Sequence, residues 1–167
     1  MTDEKLITLK IDGQECKVPE GTTIHEAAKI IQNDIPVICL HEATTAEGIC
    51  RQCVVEVEGW GRLAPSCITE VAEGMEVQTE SPRVVRSRRT ILEMLNASVD
   101  ISRSPELQTQ LEIYSADLQR FPGAKKRQYE VLDDNPFYVR DYSQCILCWR
   151  CVQACADDMQ YTYALGL

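Results

Sequence analysis

The chain has 167 residues, of which 44% are hydrophobic and 26% are charged, an ordinary composition for a globular protein that buries a core. A formal net charge of −9 argues against nucleic-acid binding, because phosphate recognition requires a basic surface. No stretch approaches the roughly eighteen consecutive apolar residues of a membrane span, and acidic residues near the amino terminus do not resemble a signal peptide. We therefore expect a cytoplasmic protein without a membrane span.

Cysteine is the unusual component of this composition, with nine cysteines against two histidines. An odd number of cysteines in a chain without an export signal favours metal or redox chemistry over a disulfide framework. The two histidines also offer little material for a zinc site of the mixed cysteine and histidine type. Thiolate ligation of a metal is the chemistry that the composition indicates.

The first elements predict a β-hairpin. Residues 6–11 and 14–18 alternate between apolar and polar side chains around an Asp12-Gly13 turn, as the strands of a half-buried hairpin do. Cys16 and Val18 are two residues apart and so share the side of the strand that we expect to face the core. A buried structural thiol is therefore the simplest interpretation of Cys16.

A helix and further short strands complete the first domain. Thr23 and Glu26 have the spacing of a capping box and predict the start of a helix that packs on the hairpin. Short strands are predicted at 54–59 and 75–79. Together these elements indicate a compact α+β domain that ends near residue 80.

Two helices and a long irregular stretch follow. A Ser-Pro pair at 81–82 predicts a basic amphipathic helix to about residue 97, and the same signal at 104–105 predicts a second helix to about residue 118. Residues 121–144 have the composition of a loop. Basic runs in this region could dock an acidic partner, although such runs are more often solvated faces.

Four cysteines of the first domain, Cys39, Cys50, Cys53 and Cys67, form the first candidate site. Four soft thiolate ligands meet the requirement of a [2Fe-2S] cluster, although the spacing differs from that of plant-type ferredoxins. Gly48 precedes the short Cys50–Cys53 pair and allows a close backbone approach to cluster sulfur. Four unrelated buried cysteines, or a zinc site, are the alternatives.

The second candidate site has the spacing CxxCxxCxxxC and consists of Cys145, Cys148, Cys151 and Cys155. This is one set of the bacterial iron-sulfur run, in which the fourth cysteine ordinarily ligates a second cluster. No second set follows in these 167 residues. We predict a helix from residue 151 to about residue 159, which places Cys151 and Cys155 on one face and favours Cys155 as the fourth ligand of a [4Fe-4S] cluster. A ligand from a partner subunit is the alternative.

The pattern Cx10CxxCx13C, the segment VPEGTTIHEAA and the segment SPRVVRSRRTILEML together resemble the amino-terminal region of the large iron-sulfur subunit of respiratory complex I. The same region occurs in NAD-linked formate dehydrogenases and iron-only hydrogenases. The resemblance implies a β-grasp [2Fe-2S] domain over residues 1–80, a helical linker over 81–140 and a [4Fe-4S] segment over 141–167. It also implies that the first four cysteines hold the [2Fe-2S] cluster.

The chain departs from this family pattern in three places. Residues 68–144 contain neither cysteine nor histidine, so the family's additional cluster on one histidine and three cysteines is not expected. Pro105 stands where that set would end. Trp149 replaces the glycine that is usual in the second cysteine set.

The resemblance implies an electron-transfer subunit without catalytic residues of its own. It is closest to the small iron-sulfur subunit of electron-bifurcating NAD(P) transhydrogenase complexes, which implies flavin- and NAD(P)-binding partner subunits in a hetero-oligomer, with ferredoxin as a further partner. Two alternatives remain at this point. The chain could be the electron-input region of a larger formate dehydrogenase or hydrogenase subunit, or a zinc-binding adaptor.

Overall fold

A computed structural model describes residues 5–166 of the chain. Contacts between residues divide this part into two compact units. The first unit contains residues 5–88 together with 149–166, and the second contains residues 89–148. Among the described residues, no helix has the length and apolarity that crossing a bilayer requires.

The first unit is built on a five-stranded mixed sheet. Its strands are ordered β2-β1-β5-β3-β4, with β1 parallel to β5 and the other pairs antiparallel. This mixed sheet with a packed helix confirms the α+β ferredoxin-like fold predicted for the first domain. The strands are β1 (Leu6–Ile11), β2 (Gln14–Pro19), β3 (Val54–Val57), β4 (Ala64–Pro65) and β5 (Glu76–Gln78).

The period-two pattern of the hairpin determines which face of the sheet is buried. Ile7, Leu9 and Ile11 are buried on β1, and the register pairs Leu9 with Cys16 on β2. Cys16 and Val18 are both buried, as predicted. Because side chains alternate across a strand, these residues line one continuous core under the sheet.

Helix α1 (Ile24–Ile30) covers this core and begins where the sequence predicts. The Glu26 amide donates to the Thr23 hydroxyl at 3.2 Å, and the Thr23 amide donates to the Glu26 carboxylate at 2.8 Å. These reciprocal bonds satisfy two amides at the helix start and confirm the capping box. The next turn of the helix buries Ala27 and Ala28, whose small side chains allow the helix to approach the strands closely.

Helices α2 (Pro82–Ser98) and α3 (Pro105–Ile113) follow the sheet domain. The Ser81 hydroxyl caps α2 by accepting from the Val84 amide at 3.3 Å. Helix α3 ends five residues before the predicted residue 118, so that part of the prediction is wrong. Ser115 has a φ of 47°, and a non-glycine residue in the left-handed region cannot continue a right-handed helix.

The remaining residues are mostly irregular, as predicted for 121–144. An isolated bridge pairs Leu132 with Arg140, and a short 3-10 helix spans Tyr142–Gln144. The last helix, α4 (Arg150–Cys155), is shorter than the predicted 151–159. It stops because Ala156 leaves helical geometry, with a ψ of −121°.

Candidate metal centre

The four cysteines of the first site lie close together in the first unit and form two pairs. The Cys50 amide donates to the Cys39 sulfur at 3.5 Å, which joins the ends of the loop between them. The sulfur atoms of Cys53 and Cys67 are 3.3 Å apart. Three of the four side chains are buried, and Cys50 is half-buried.

The protonation states of the four thiols follow this pairing. The thiol of Cys39 lowers the pKa of Cys50 to about 5, and the thiol of Cys67 lowers the pKa of Cys53 to about 7. The pKa of the other member of each pair, Cys39 or Cys67, is raised. The hydrogen bond to the partner sulfur is the larger cause, and burial is the second. In each pair, one thiol therefore loses its proton more readily than the other and is the first to become the thiolate, the form that ligates metal.

This arrangement fits a two-iron cluster. A tetrahedral metal with metal–sulfur bonds of about 2.3 Å keeps two sulfur ligands roughly 3.8 Å apart, close to the 3.3 Å between Cys53 and Cys67. A [2Fe-2S] cluster takes four cysteine ligands, two on each iron. Cys39 with Cys50 would hold one iron, and Cys53 with Cys67 would hold the other.

The backbone around the pairs explains why a glycine precedes them. Gly48 has a φ of 61°, and a Cβ atom there would lie 2.7 Å from the Ile68 side chain. The left-handed conformation of this position favours glycine, and the absence of a Cβ leaves room for the Ile68 side chain. His41, in the same loop, is exposed, and its Nδ1 accepts a hydrogen bond from the Ala43 amide at 3.1 Å.

Arg88 is a residue of this site that the sequence reasoning did not identify. Its side chain is fully buried, and it donates from Nε to the Gln52 carbonyl at 3.1 Å and from Nη2 to the Val54 carbonyl at 2.9 Å. These two carbonyls flank Cys53. Arg88 also pairs with Glu80. The guanidinium therefore fixes the backbone on both sides of a candidate ligand.

The other arginines of the basic run 83–89 also have contacts within the chain. Arg83 donates to the Gly61 carbonyl at 2.6 Å and pairs with Glu56 at 3.4 Å. Within the second unit, the Arg89 Nε donates to the Tyr114 carbonyl at 2.8 Å. Much of the charge in this run therefore has a structural role, which a count of basic residues does not reveal.

The cysteines of the second site are distributed over both units. Cys145 and Cys148 belong to the second unit and are half-buried, whereas Cys151 and Cys155 lie on α4 in the first unit. Cys151 is exposed and Cys155 is buried. In the part of the chain that the structure describes, no three histidine, cysteine or carboxylate side chains converge on a single-ion position. Ligation of a [4Fe-4S] cluster by this set stays a prediction.

The sulfur of Cys155 has a polar environment of its own. It lies 3.1 Å from the Thr162 hydroxyl and accepts a hydrogen bond from the Ala164 amide at 3.2 Å. The hydrogen bond with Thr162 is the main reason why the pKa of Cys155 is lowered. Its environment thus favours the thiolate.

Trp149 has an unusual backbone conformation for a large residue. Its φ is 72°, in the left-handed region, and its side chain is 37% exposed. Leu147, on the other side of Cys148, also has a positive φ of 56°. Glycine adopts such angles without strain, which gives a physical reason for the glycine that is usual at the position of Trp149.

The fold and the paired cysteines define a ferredoxin-like protein of the [2Fe-2S] class. Residues 4–82 match the family described as "2Fe-2S iron-sulfur cluster binding domain". The chain is 40% identical over 162 residues to the NADP-reducing hydrogenase subunit HndD of Solidesulfovibrio fructosivorans, covering 90% of this chain and 28% of that protein. It is 33% identical to an NADH-quinone oxidoreductase subunit of Rhizobium meliloti, covering 96% of this chain and 20% of that protein.

A solved structure agrees with these sequence matches. A chain from the crystal structure of an NAD+-reducing [NiFe]-hydrogenase in the H2-reduced state superposes with a TM-score of 0.80 at 30% identity. The match covers 93% of this chain and 68% of the other. The chain therefore belongs to the family of iron-sulfur subunits of NAD(P)-linked oxidoreductases and hydrogenases, and it spans less than a third of the length of the two curated relatives named above.

Proposed function

We propose that the chain is an electron-transfer subunit that carries one [2Fe-2S] and one [4Fe-4S] cluster. In this proposal it has no catalytic residues and relays electrons between flavin-containing subunits of an NAD(P)-linked, electron-bifurcating complex. The observation that carries the proposal is the arrangement of four cysteines in two sulfur pairs inside a domain that matches a [2Fe-2S] family.

The first unit supports the role of a protected one-electron site. A [2Fe-2S] cluster supplies a centre that accepts and releases single electrons. The protein contributes the two cysteine pairs, the burial of Cys53 and Cys67, and the buried Arg88 that holds the backbone beside Cys53. Burial and hydrogen bonding around the sulfurs are the means by which a protein tunes such a centre.

Three features support the [4Fe-4S] cluster on Cys145, Cys148, Cys151 and Cys155. The first is the spacing of the set, which is typical of such clusters. The second is the positive φ of Leu147 and Trp149, because alternating backbone conformations turn amides towards anionic sulfur. The third is the thiolate-favouring environment of Cys155.

The names of the relatives support the choice of partners. They include an NADP-reducing hydrogenase subunit, an NADH-quinone oxidoreductase subunit and an NADPH-Fe(3+) oxidoreductase subunit, all linked to a nicotinamide nucleotide. Flavin-bearing subunits are the partner class that converts two-electron nicotinamide chemistry to single electrons. The nine free cysteines favour a reducing compartment such as the cytoplasm for the proposed complex.

One observation favours a second candidate function. The chain covers only 28%, 20% and 18% of three relatives that extend well beyond the matched region. The chain could therefore serve as the electron-input region of a larger formate dehydrogenase or hydrogenase subunit. The proteins that co-purify with the native product, and the length of that product, distinguish the two functions.

Anaerobic purification of the full chain tests the cluster content. We expect iron and acid-labile sulfide and, after reduction with dithionite, two electron paramagnetic resonance signals, one from each cluster. Cys53→Ser should remove the [2Fe-2S] signal, whereas the matched change Cys16→Ala, at a buried thiol outside both sets, should retain it. Zinc without iron or sulfide would instead establish the zinc-binding adaptor, and a [2Fe-2S] signal alone would refute the second cluster.

A further inference from the structure

The loop between Cys39 and Cys50 is held from the far end of the chain. The Thr45 amide donates to Asp158 Oδ2 at 2.8 Å, and the Thr45 hydroxyl donates to Asp158 Oδ1 at 2.7 Å. The Gln153 side-chain amide donates to the Thr45 carbonyl at 2.8 Å and to Glu47 at 3.2 Å. Four hydrogen bonds therefore join the 40–49 loop to Gln153 and Asp158. We call these two residues and their hydrogen bonds to the loop the latch.

The geometry of the latch is specific. One carboxylate accepts two hydrogen bonds from Thr45, one from the backbone and one from the side chain, so both oxygens of Asp158 are used. Gln153 is a buried polar side chain, 8% exposed, on α4, and its amide reaches the carbonyl of the same threonine. Charge-assisted and bidentate hydrogen bonds are the stronger members of their class.

The position of Thr45 makes the latch relevant to metal binding. Thr45 lies midway along the loop whose two ends are Cys39 and Cys50, the pair that would hold one iron. At its later end the loop passes close to the Ile68 side chain at Gly48. Without the latch, the middle of the loop that joins the two sulfur ligands would become flexible. A flexible loop raises the rate at which both sulfurs dissociate from the iron.

We propose that Gln153 and Asp158 are positioning residues of the [2Fe-2S] site, which hold the 40–49 loop closed and so retain the cluster. The four ligands all lie within residues 39–67, so the latch is not needed for the cluster to assemble. It determines how long the cluster stays. The inference rests on the [2Fe-2S] site of the proposed function.

The test compares full-length variants purified anaerobically. Asp158→Ala removes both acceptors of Thr45, and Asp157→Ala is the matched control, because Asp157 carries the same charge on the neighbouring position and accepts instead from Tyr163 within its own segment. We expect Asp158→Ala to lose its [2Fe-2S] absorbance to an iron chelator about tenfold faster than wild type, which corresponds to about 1.4 kcal/mol of lost loop stabilisation. Asp158→Asn keeps one acceptor, so its rate of cluster loss should lie between those of wild type and Asp158→Ala.

Hydrogen exchange separates this role from a general loss of stability. The amides of residues 40–49 should exchange about tenfold faster in Asp158→Ala, while those of β1 and β5 stay as in wild type. Gln153→Leu removes the hydrogen bond to the Thr45 carbonyl and should also speed the exchange of the 40–49 amides. Equal cluster loss and equal loop exchange in wild type, Asp158→Ala and Gln153→Leu would overturn the proposal, as would faster exchange spread evenly over the sheet.

Discussion

Substitution of Arg88 by methionine should destabilise the first unit severely. Methionine fills much of the volume of the arginine stem but donates no hydrogen bonds. The carbonyls of Gln52 and Val54 therefore lose the hydrogen bonds that the fully buried Arg88 side chain donates. Removal of one partner from a buried polar pair leaves the other unsatisfied, which costs more than the pair contributes when intact.

The magnitude follows from the two carbonyls. A hydrogen bond to a charged group contributes about 1.5–3 kcal/mol, so loss of both predicts a decrease of roughly 3–6 kcal/mol in the free energy of unfolding. The ion pair with Glu80 adds little, because the Glu80 side chain is 55% exposed and solvent screens it. Arg88→Lys keeps the charge but lacks the forked geometry, and should lose about half as much.

Urea denaturation of the anaerobic protein measures the effect, followed by circular dichroism and by cluster absorbance. With a slope of about 2 kcal/mol per molar urea, a loss of about 4 kcal/mol lowers the midpoint by roughly 2 M. Arg62→Met is the matched control, because Arg62 is exposed and its removal should change stability by less than about 0.5 kcal/mol. An Arg88→Met midpoint equal to that of Arg62→Met would refute the reasoning.

Four further changes test other parts of the structure. Thr23→Ala should lower the free energy of unfolding by about 1 kcal/mol, with Thr23→Ser close to wild type, because serine restores the cap; equal urea midpoints for both variants would contradict this. Desolvation lowers the pKa of His25 below 6.5 in the folded protein, so on acidification the unfolded chain binds the proton first. Stability is therefore lost as the pH falls through 6.5. His25→Leu lacks this group, so its urea midpoint should decrease less than that of wild type between about pH 7.5 and pH 5.5. Cys155→Ser should abolish or convert the [4Fe-4S] resonance and spare the [2Fe-2S] one, and an unaltered [4Fe-4S] resonance would place the fourth ligand elsewhere. Trp149→Gly should keep both cluster spectra and, if the exposed indole contacts a partner, weaken subunit association in size-exclusion chromatography; unchanged association would contradict the interface.

The sequence predicted the elements that depend on neighbouring residues. The hairpin follows from period-two alternation over 6–11, and the start of α1 follows from Thr23 and Glu26, three positions apart. The four-cysteine set of the first site could also be found from its spacing. Each of these signals lies within one short segment, where pattern and local hydrogen bonding determine the outcome.

Features that depend on distant residues could not be predicted in this way. Arg88 has the same appearance in the sequence as the other arginines of its run, yet it is the one whose side chain is fully buried beside Cys53. The contact between Thr45 and Asp158 joins positions 113 residues apart and leaves no periodic signal. The end of α3 depends on the left-handed backbone of Ser115, a serine that has no strong local preference for that conformation.

The discontinuous composition of the first unit has a consequence for biosynthesis. Translation proceeds from the amino terminus, so the sheet and all four cysteines of the first site leave the ribosome well before Asp158 is made. Roughly ninety residues separate Cys67 from Asp158, and the synthesis of this segment takes about 5 to 20 seconds. During that interval the 40–49 loop has no latch, and the cysteine pair at its ends is most accessible to an iron-sulfur donor. We therefore expect cluster delivery to be fastest on the nascent chain, before the last residues arrive to close the loop over it.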